Sequence, residues 1–332
     1  MDLIPRMIFW ETTKKCSLKC AFCRMTKSES GDELTTAEAF RLIDSIKTSF
    51  GSSVLVLSGG EPLLREDIFE IMFYAAQKGL TLALATNGVL LKEKEAGLIK
   101  KYGVRRVSLS LDSSDEKKHD SSRGVLGAFK QTVNAADILR KEQIPFQINF
   151  TVTKNNLNEI RTIADLALSI KAMAVHYFVL VPVGCGKEID DKSRLEANDI
   201  EEALREIKNI SESSSLEIRP TCAPQYVRFS EGKMSGGCLA GTSVLFISSR
   251  GYVYPCGYLP ITAGNLRKNS IGKVWKGSIV FNALRKNDLR GSCGDCGYKI
   301  SCRGCRARAF ADTGDFMSED RTCVLAKEAV AS

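Results

Sequence analysis

Three cysteines, Cys16, Cys20 and Cys23, fall within Cys-Ser-Leu-Lys-Cys-Ala-Phe-Cys, directly after an apolar run at residues 7–10. Structural zinc closes its tetrahedron with four Cys or His ligands, whereas a 4Fe-4S cluster held by three cysteines leaves one iron open to a small chelating molecule. The competing reading is a zinc or disulfide staple that borrows a distant cysteine. A second concentration of chemistry is Ser58-Gly59-Gly60-Glu61-Pro62, after the apolar run 54–57. Its glycines let backbone approach a ligand closely, Glu61 can accept from a cation, and Pro62 stops the strand. A third is the pair of C-x-x-C units Cys293/Cys296 and Cys302/Cys305, preceded by Cys238 and Cys256 and followed by Cys323. Taken alone, that spacing suits a zinc ribbon as well as a cluster.

The elements that must position these residues follow from periodicity. Strand-like runs at 54–57, 80–85, 106–111, 146–152 and 175–183 alternate with helix-period stretches at 35–48, 66–78, 92–101, 128–141 and 157–170. Apolar strands alternating with such helices make a parallel sheet covered by helices, and six repeats suit an open (β/α)6 partial barrel. Cys16–Cys23, Gly59–Pro62, Asn87 and Ser110–Asp112 would then all follow strand ends and share one mouth. A helix-like stretch at 198–210 runs into the polar 211–215, which divides the chain into domains 1–215 and 216–332.

Bulk properties narrow the class. The chain has 332 residues, twelve cysteines, two histidines (His119 and His176) and a net charge of +8. Its basic residues are mixed with acidic ones along helix faces, which reads as solvated surface and excludes a nucleic-acid partner. No export segment and no membrane-length apolar run is present, so the expectation is a soluble cytoplasmic protein with metal thiolates in place of disulfides.

The cysteine loop and the Gly-Gly-Glu-Pro segment together resemble the radical S-adenosylmethionine (radical SAM) enzymes, whose C-x-x-x-C-x-aromatic-C pattern is met with Phe22 at the aromatic position. That resemblance implies a 4Fe-4S cluster on Cys16, Cys20 and Cys23 with S-adenosylmethionine bound to its open iron. It also implies that Gly59, Gly60, Glu61 and Pro62 take the amino end of the co-substrate, Ser110 and Arg123 its carboxylate, and Phe22 a place beside the adenine. Asn87 and Asp112 divide between ligand contact and turn capping. Gly251-Tyr-Val-Tyr-Pro-Cys256 resembles the opening of the SPASM extension. By that likeness Cys293, Cys296, Cys302 and Cys323 hold one auxiliary 4Fe-4S cluster, and Cys238, Cys256 and Cys305 hold another. Cys222 is the candidate for its fourth ligand, the alternative being an iron left open for substrate. Cys185 reads as a partly buried free thiol.

Residues 302–315 resemble the heme-biosynthesis branch of these enzymes, and Phe9-Trp10-Glu11-Thr12-Thr13, Phe146-Gln147-Ile148-Asn149, residues 176–182, Thr221-Cys222-Ala223-Pro224 and Gly237-Cys238-Leu239-Ala240-Gly241-Thr242 resemble more specifically the heme b synthases of the siroheme-derived pathway. Two positions depart from that pattern: Cys185 where arginine is usual, and Gln225 where histidine is usual. The resemblance implies anaerobic oxidative decarboxylation of two propionates of iron coproporphyrin III to vinyl groups, with an iron-porphyrin substrate and a low-potential donor of the flavodoxin or ferredoxin type. It implies a 5'-deoxyadenosyl radical as hydrogen abstractor and an auxiliary cluster as electron acceptor. Other readings are a sister enzyme that removes acetate groups from a siroheme derivative, a peptide-modifying SPASM maturase, and an iron-sulfur electron carrier. His176 reads as a hydrogen-bonded core histidine or an iron ligand, and Arg306 and Arg308 as surface arginines or propionate partners.

Overall fold

The computed structural model describes residues 4–25, 32–189, 194–229 and 237–328. Six strands, β1 (Met7–Glu11), β2 (Val54–Ser58), β3 (Thr81–Thr86), β4 (Arg106–Ser110), β5 (Phe146–Val152) and β6 (Ala174–Val179), run parallel and in chain order. Between them lie helices α1 (Thr36–Phe50), α2 (Ile68–Gln77), α3 (Glu93–Lys101), α4 (Glu116–Arg123), α5 (Ala128–Lys141) and α6 (Ile160–Ser169). This is the (β/α)6 partial barrel that the alternation predicts.

The reason lies in which residues each element can bury. Strand residues such as Ile8, Trp10, Leu55, Leu57, Val107, Leu109, Val175 and Tyr177 alternate along their strands and are fully buried under the helices. Their neighbours Ser108, Ser110, Asn149, Thr151 and His176 face the other way and are half-buried, so the β4–β6 part of the concave face carries polar groups, with Phe9, Val56, Ala83 and Phe178 on the same face. Helix α1 is started by a reciprocal Thr35/Glu38 capping box and buries Ala39, Leu42, Ile43, Ile46 and Phe50 on one stripe. Strong curvature is visible directly: Arg106 on β4 reaches Glu217, three strands away in the sheet order, at 3.2 Å.

Four strands from beyond residue 215 extend the same sheet. After helix α7 (Ala197–Ser213), β7 (Glu217–Thr221) pairs in parallel with β6, and β8 (Val244–Ile247) pairs in parallel with β1 on the opposite edge. Strands β9 (Tyr252–Tyr254) and β10 (Gly264–Asn265) follow antiparallel. The polar stretch 211–215 is therefore the end of α7 and not a break in the sheet. The remaining described chain carries helices α8 (Ile271–Gly277), α9 (Ile279–Lys286), α10 (Ser292–Asp295) and α11 (Arg306–Thr313). Its own small core includes Leu259, Leu284, Leu289, Cys305 and Met317.

Two local expectations are corrected. The strand expected to reach residue 183 stops at Val179, because its partner β5 ends at Val152 and Pro182 has no N–H to continue a ladder. Helix α4 has no apolar stripe, so periodicity misses it. It exists because Asp115 caps its start, Gly124 closes its end in the left-handed region, and His119 and Arg123 are buried. Among the described residues no helix is long and apolar enough to cross a membrane.

Candidate active site

The loop carrying Cys16, Cys20 and Cys23 is clamped from three sides. On the β2 side, Gly60 N donates to Thr13 O and Glu61 N to Lys15 O, both at 2.8 Å. A Cβ on Gly59 would stand 2.6 Å from Thr13 O and one on Gly60 2.4 Å from Lys15 O, so the close approach these glycines permit is that of the cysteine loop itself. On the α4 side, Lys19 N and Ala21 N donate to the terminal carbonyls of Arg123 and Ser122, while Gly124 lies against Lys19 O. At the loop's exit, Cys185 N donates to Cys23 O at 2.8 Å, and a Cβ on Gly184 would stand 2.3 Å from Arg24 O. Arg65 supports the loop from beneath, donating to Thr12 O and Leu34 O at 2.7 Å.

Around the three thiols the polar groups fit an anionic centre. Leu18 N lies 3.4 Å and Asn87 Nδ2 3.9 Å from Cys16 Sγ, and Arg123 Nη1 lies 3.5 Å from Cys20 Sγ. Burial raises the Cys16 thiol, and Cys20, Glu61 and Cys23 raise it further; burial and Cys20 do the same to Cys23.

Beside them, Glu61 is fully buried. Burial pushes its pKa up, opposed by bonds from Asn87 N at 2.8 Å, Thr86 Oγ1 at 2.7 Å and Leu63 N at 3.1 Å. Among the described residues its Oε2 accepts only from Asn87, which leaves that oxygen able to accept from a cation. Asn87 also accepts from Val89 N at 2.9 Å, so it is both a turn former and a neighbour of Cys16. Arg123 is paired with the buried Asp112, and its guanidinium lies over the Phe22 ring at 5.4 Å. Asp112 Oδ1 accepts from Thr151 N at 2.8 Å, which makes Asp112 an anchor for Arg123 and not a turn cap. Arg123 Nε is buried and, among the described residues, without an acceptor. Ser110 ends β4 on the concave face, opposite Asn149.

The other cysteines fall into two groups. Burial raises Cys222 well above its ordinary value, followed by Cys305 and Cys256; Cys256 is pushed up to about 12 by burial and then by Cys238. Cys222, Cys238, Cys256 and Cys305 thus form one set, packed against the small core of the extension. Cys222 has φ 55°, a left-handed conformation that a side-chain-bearing residue adopts only when its surroundings impose it. In the second set, burial and then Cys323 push Cys302 up to about 12, and Cys293 is raised by burial with Cys296 contributing. Asp320 joins the sets: its N–H points at Cys293 Sγ at 3.4 Å and its Oδ2 accepts from Cys305 N at 2.8 Å. Among the described residues no three Cys, His, Asp or Glu side chains converge tightly enough to hold a single ion.

Residues 10–167 match the Radical SAM superfamily, and residues 238–297 match SPASM, an iron-sulfur cluster-binding domain. The chain is 43% identical to the AdoMet-dependent heme synthase of Methanosarcina barkeri, over 98% of this chain and 97% of the relative. It is a radical SAM enzyme with a SPASM extension. Another relative of this radical SAM enzyme is the AdoMet-dependent heme synthase of Nitratidesulfovibrio vulgaris, 37% identical over 96% of this chain and 92% of that one. The Fe-coproporphyrin III synthase of M. barkeri is 28% identical over 98% and 89%. Two solved structures share the fold. Streptococcus suis SuiB bound to S-adenosylmethionine has TM-score 0.78 at 20% identity, covering 97% of this chain and 78% of that one. Native anSMEcpe with bound AdoMet has TM-score 0.77 at 19%, covering 98% and 96%. The cofactors of this radical SAM enzyme are accordingly iron-sulfur clusters and S-adenosylmethionine.

Several residues of the radical SAM site are not legible as functional from spacing. Arg24 pairs with Glu11 at 3.1 Å and lies over Phe246 of β8 at 4.4 Å, tying the loop's exit to the extension's strand. Gly184 and Gly186 flank Cys185, whose thiol donates to Met25 O at 3.4 Å; the Gly-Cys-Gly run was the available signal. Arg306 and Arg308 are not surface residues. Arg306 donates to Phe316 O and Ser318 O, Arg308 pairs with Asp320 at 3.1 Å, and both are buried. His176 faces the concave interior with Nε2 buried and unbonded among the described residues, and burial lowers its pKa to about 4.

Proposed function

We propose that this enzyme converts two propionate side chains of iron coproporphyrin III to vinyl groups, forming heme b. The observation that carries the reading is the order of likeness: 43% and 37% identity to relatives named AdoMet-dependent heme synthase, against 28% to one named Fe-coproporphyrin III synthase. The division of labour is a barrel at 1–215 that binds co-substrate and an extension at 216–332 that carries the auxiliary centres. The electron donor is a flavodoxin- or ferredoxin-type protein.

Cys16, Cys20 and Cys23 would hold the cluster that chelates the co-substrate. Glu61 Oε2 accepts from the co-substrate's ammonium, at the place the Gly59–Gly60 crossing gives it. Arg123, held by Asp112 and stacked near Phe22, turns its free Nε to the carboxylate, with Ser110 beside it; a guanidinium is suited to that group by its fork of donors. Pro62 and Asn87 keep Glu61 and Cys16 in register. Cys293, Cys296, Cys302 and Cys323 hold one auxiliary cluster, and Cys238, Cys256 and Cys305, completed by Cys222, hold the other. The cluster that Cys16, Cys20 and Cys23 would hold, with S-adenosylmethionine, would supply the capacity to abstract a hydrogen atom from the propionate carbon next to the ring, and an auxiliary cluster would supply an acceptor for the electron lost with carbon dioxide. The polar β4–β6 part of the concave face, with Asn149, Thr151 and His176, is where a macrocycle's carboxylates would find donors.

Anaerobic turnover with iron coproporphyrin III, S-adenosylmethionine and a strong reductant tests this. The expected product lacks two carboxyl groups, and a three-propionate species appears transiently. Co-substrate cleavage without any change to the porphyrin sinks the proposal and favours the acetate-removing or peptide-modifying reaction.

A further inference from the structure

Gln225 is 2% exposed and lies three residues after Cys222, within the short turn Pro224–Phe229. Its Oε1 accepts from Arg308 Nη2 at 3.4 Å. Because a guanidinium only donates, that contact fixes which end of the amide is oxygen. Arg308 cannot swing away, since it also pairs with Asp320 at 3.1 Å and donates to Cys222 O at 2.5 Å. The other end of the amide, Nε2, is left buried with no acceptor among the described residues. A buried amide N–H without a partner is destabilising, and such an orphan in an otherwise satisfied network marks a missing acceptor.

The same arginine links Gln225 to the backbone of Cys222. Arg308 donates to the carbonyl of Cys222, a residue in the left-handed conformation, and its charge acts on both Cys222 and Cys305. We infer that Gln225 is a positioning residue whose Nε2–H donates to a sulfur of the centre held by Cys222, Cys238, Cys256 and Cys305, and that this bond raises the centre's reduction potential. The inference rests on the reading that these four cysteines hold a cluster. Donors to cluster sulfurs stabilise the more negative, reduced state, and hydrogen bonding is among the factors that set cluster potentials. Gln225 would thereby tune how readily that centre accepts an electron.

The test uses the anaerobically reconstituted holoenzyme, with Gln225→Met to keep volume and remove the donor, and Gln225→His to supply another N–H. Redox titration followed by electron paramagnetic resonance should show the ratio of reduced to oxidised centre falling about tenfold in Gln225→Met at fixed poise, which is 59 mV for one electron. Iron content and the signal of the Cys16/Cys20/Cys23 centre should not change, and Gln225→His should recover part of the loss. In deuterium oxide an exchangeable deuteron coupled to the reduced centre should be present in wild type and absent in Gln225→Met. In metal-free protein, by contrast, Gln225→Met should melt no lower than wild type, since it removes an orphan. An unmoved potential with the deuteron coupling retained overturns the inference alone. If wild type and Cys222→Ser have the same iron content and the same auxiliary signals, the four-cysteine reading falls and the inference with it. A coupling that appears only when porphyrin is added assigns the acceptor to the substrate and also overturns it.

Discussion

Replacing Gly60 by alanine should disable the enzyme while barely disturbing its fold. The added Cβ would sit 2.4 Å from Lys15 O and 2.7 Å from Lys14 O, and neither backbone atom can rotate away as a side chain would. Ordinary contact begins near 3.4 Å, so the segment leading into Cys16 must retreat by about 1 Å. Overpacking of this kind costs about 1–3 kcal/mol, a few degrees in melting temperature for a chain of this size. A misplacement of about 1 Å at a reacting centre costs roughly 100-fold in rate. Gly60→Ala should therefore cleave S-adenosylmethionine about 100-fold more slowly while remaining folded. Gly97→Ala is the matched control. Gly97 lies inside α3, and a methyl group added there would meet nothing within 4 Å, so the same change should stabilise by about 0.5–1 kcal/mol and leave activity alone. Wild-type cleavage by Gly60→Ala, with an unaltered signal from the three-cysteine centre, would refute the claim that the glycine pair exists to seat the loop.

Asp112→Asn breaks the buried pair with Arg123 and should destabilise by about 3 kcal/mol and raise the KM for S-adenosylmethionine. Asp44→Asn, which breaks the exposed pair with Lys78, should change neither. His119, lowered to about 4 mainly by burial, stays neutral in the native state while the unfolded chain takes up a proton near pH 6.5. Its contribution is therefore whole above about pH 6.5 and is lost as pH falls toward 4, worth about 3 kcal/mol; a denaturation midpoint that does not move over that window contradicts it. Cys256 and Cys302, both raised to about 12, remain thiols in metal-free protein at neutral pH, so iron loading must release protons and should be more complete at pH 8.5 than at pH 6.5. Cys20→Ala should abolish co-substrate cleavage and leave auxiliary iron in place, whereas Cys296→Ala should still cleave co-substrate yet form no vinyl product.

The parts of this molecule that were legible in the sequence are those whose signal is local. Apolar runs such as 146–152 and 128–141 become β5 and α5 with unchanged bounds, because propensity and burial agree there. Cysteine spacing is likewise a local property. Helix α4 escapes because its stability comes from its caps and from His119 Nδ1, which accepts from Asp112 N at 3.2 Å, and not from a stripe. The glycine pair is visible as turn chemistry, but nothing local tells that Lys14 and Lys15 lie against it. Arg24 and Gly184 work through partners distant in sequence, and Arg65 adds to its local pair with Asp67 the distant carbonyls of Thr12 and Leu34, so each looks like an ordinary arginine or turn glycine until the chain is folded. Arg306 and Arg308 mislead for the opposite reason: charge predicts exposure, and only Asp320 and a set of inward carbonyls make their burial tolerable.

The pairing of β1 with β8 has a consequence for the order in which the protein is made. Met7 pairs with Val244 across 237 residues of chain. At about 5–20 residues per second, synthesis of that interval lasts roughly 10–50 s. During that time β1 can pair with β2, but its other flank is bare and Arg24 has no Phe246 to lie on. Contacts of such long sequence separation form late. The nascent barrel therefore passes through a stage in which the first cysteine loop is already seated on Gly59 and Gly60 while its outer side stays open. A cluster held by Cys16, Cys20 and Cys23 would have its window for delivery there, before Phe246 of β8 comes to lie against Arg24.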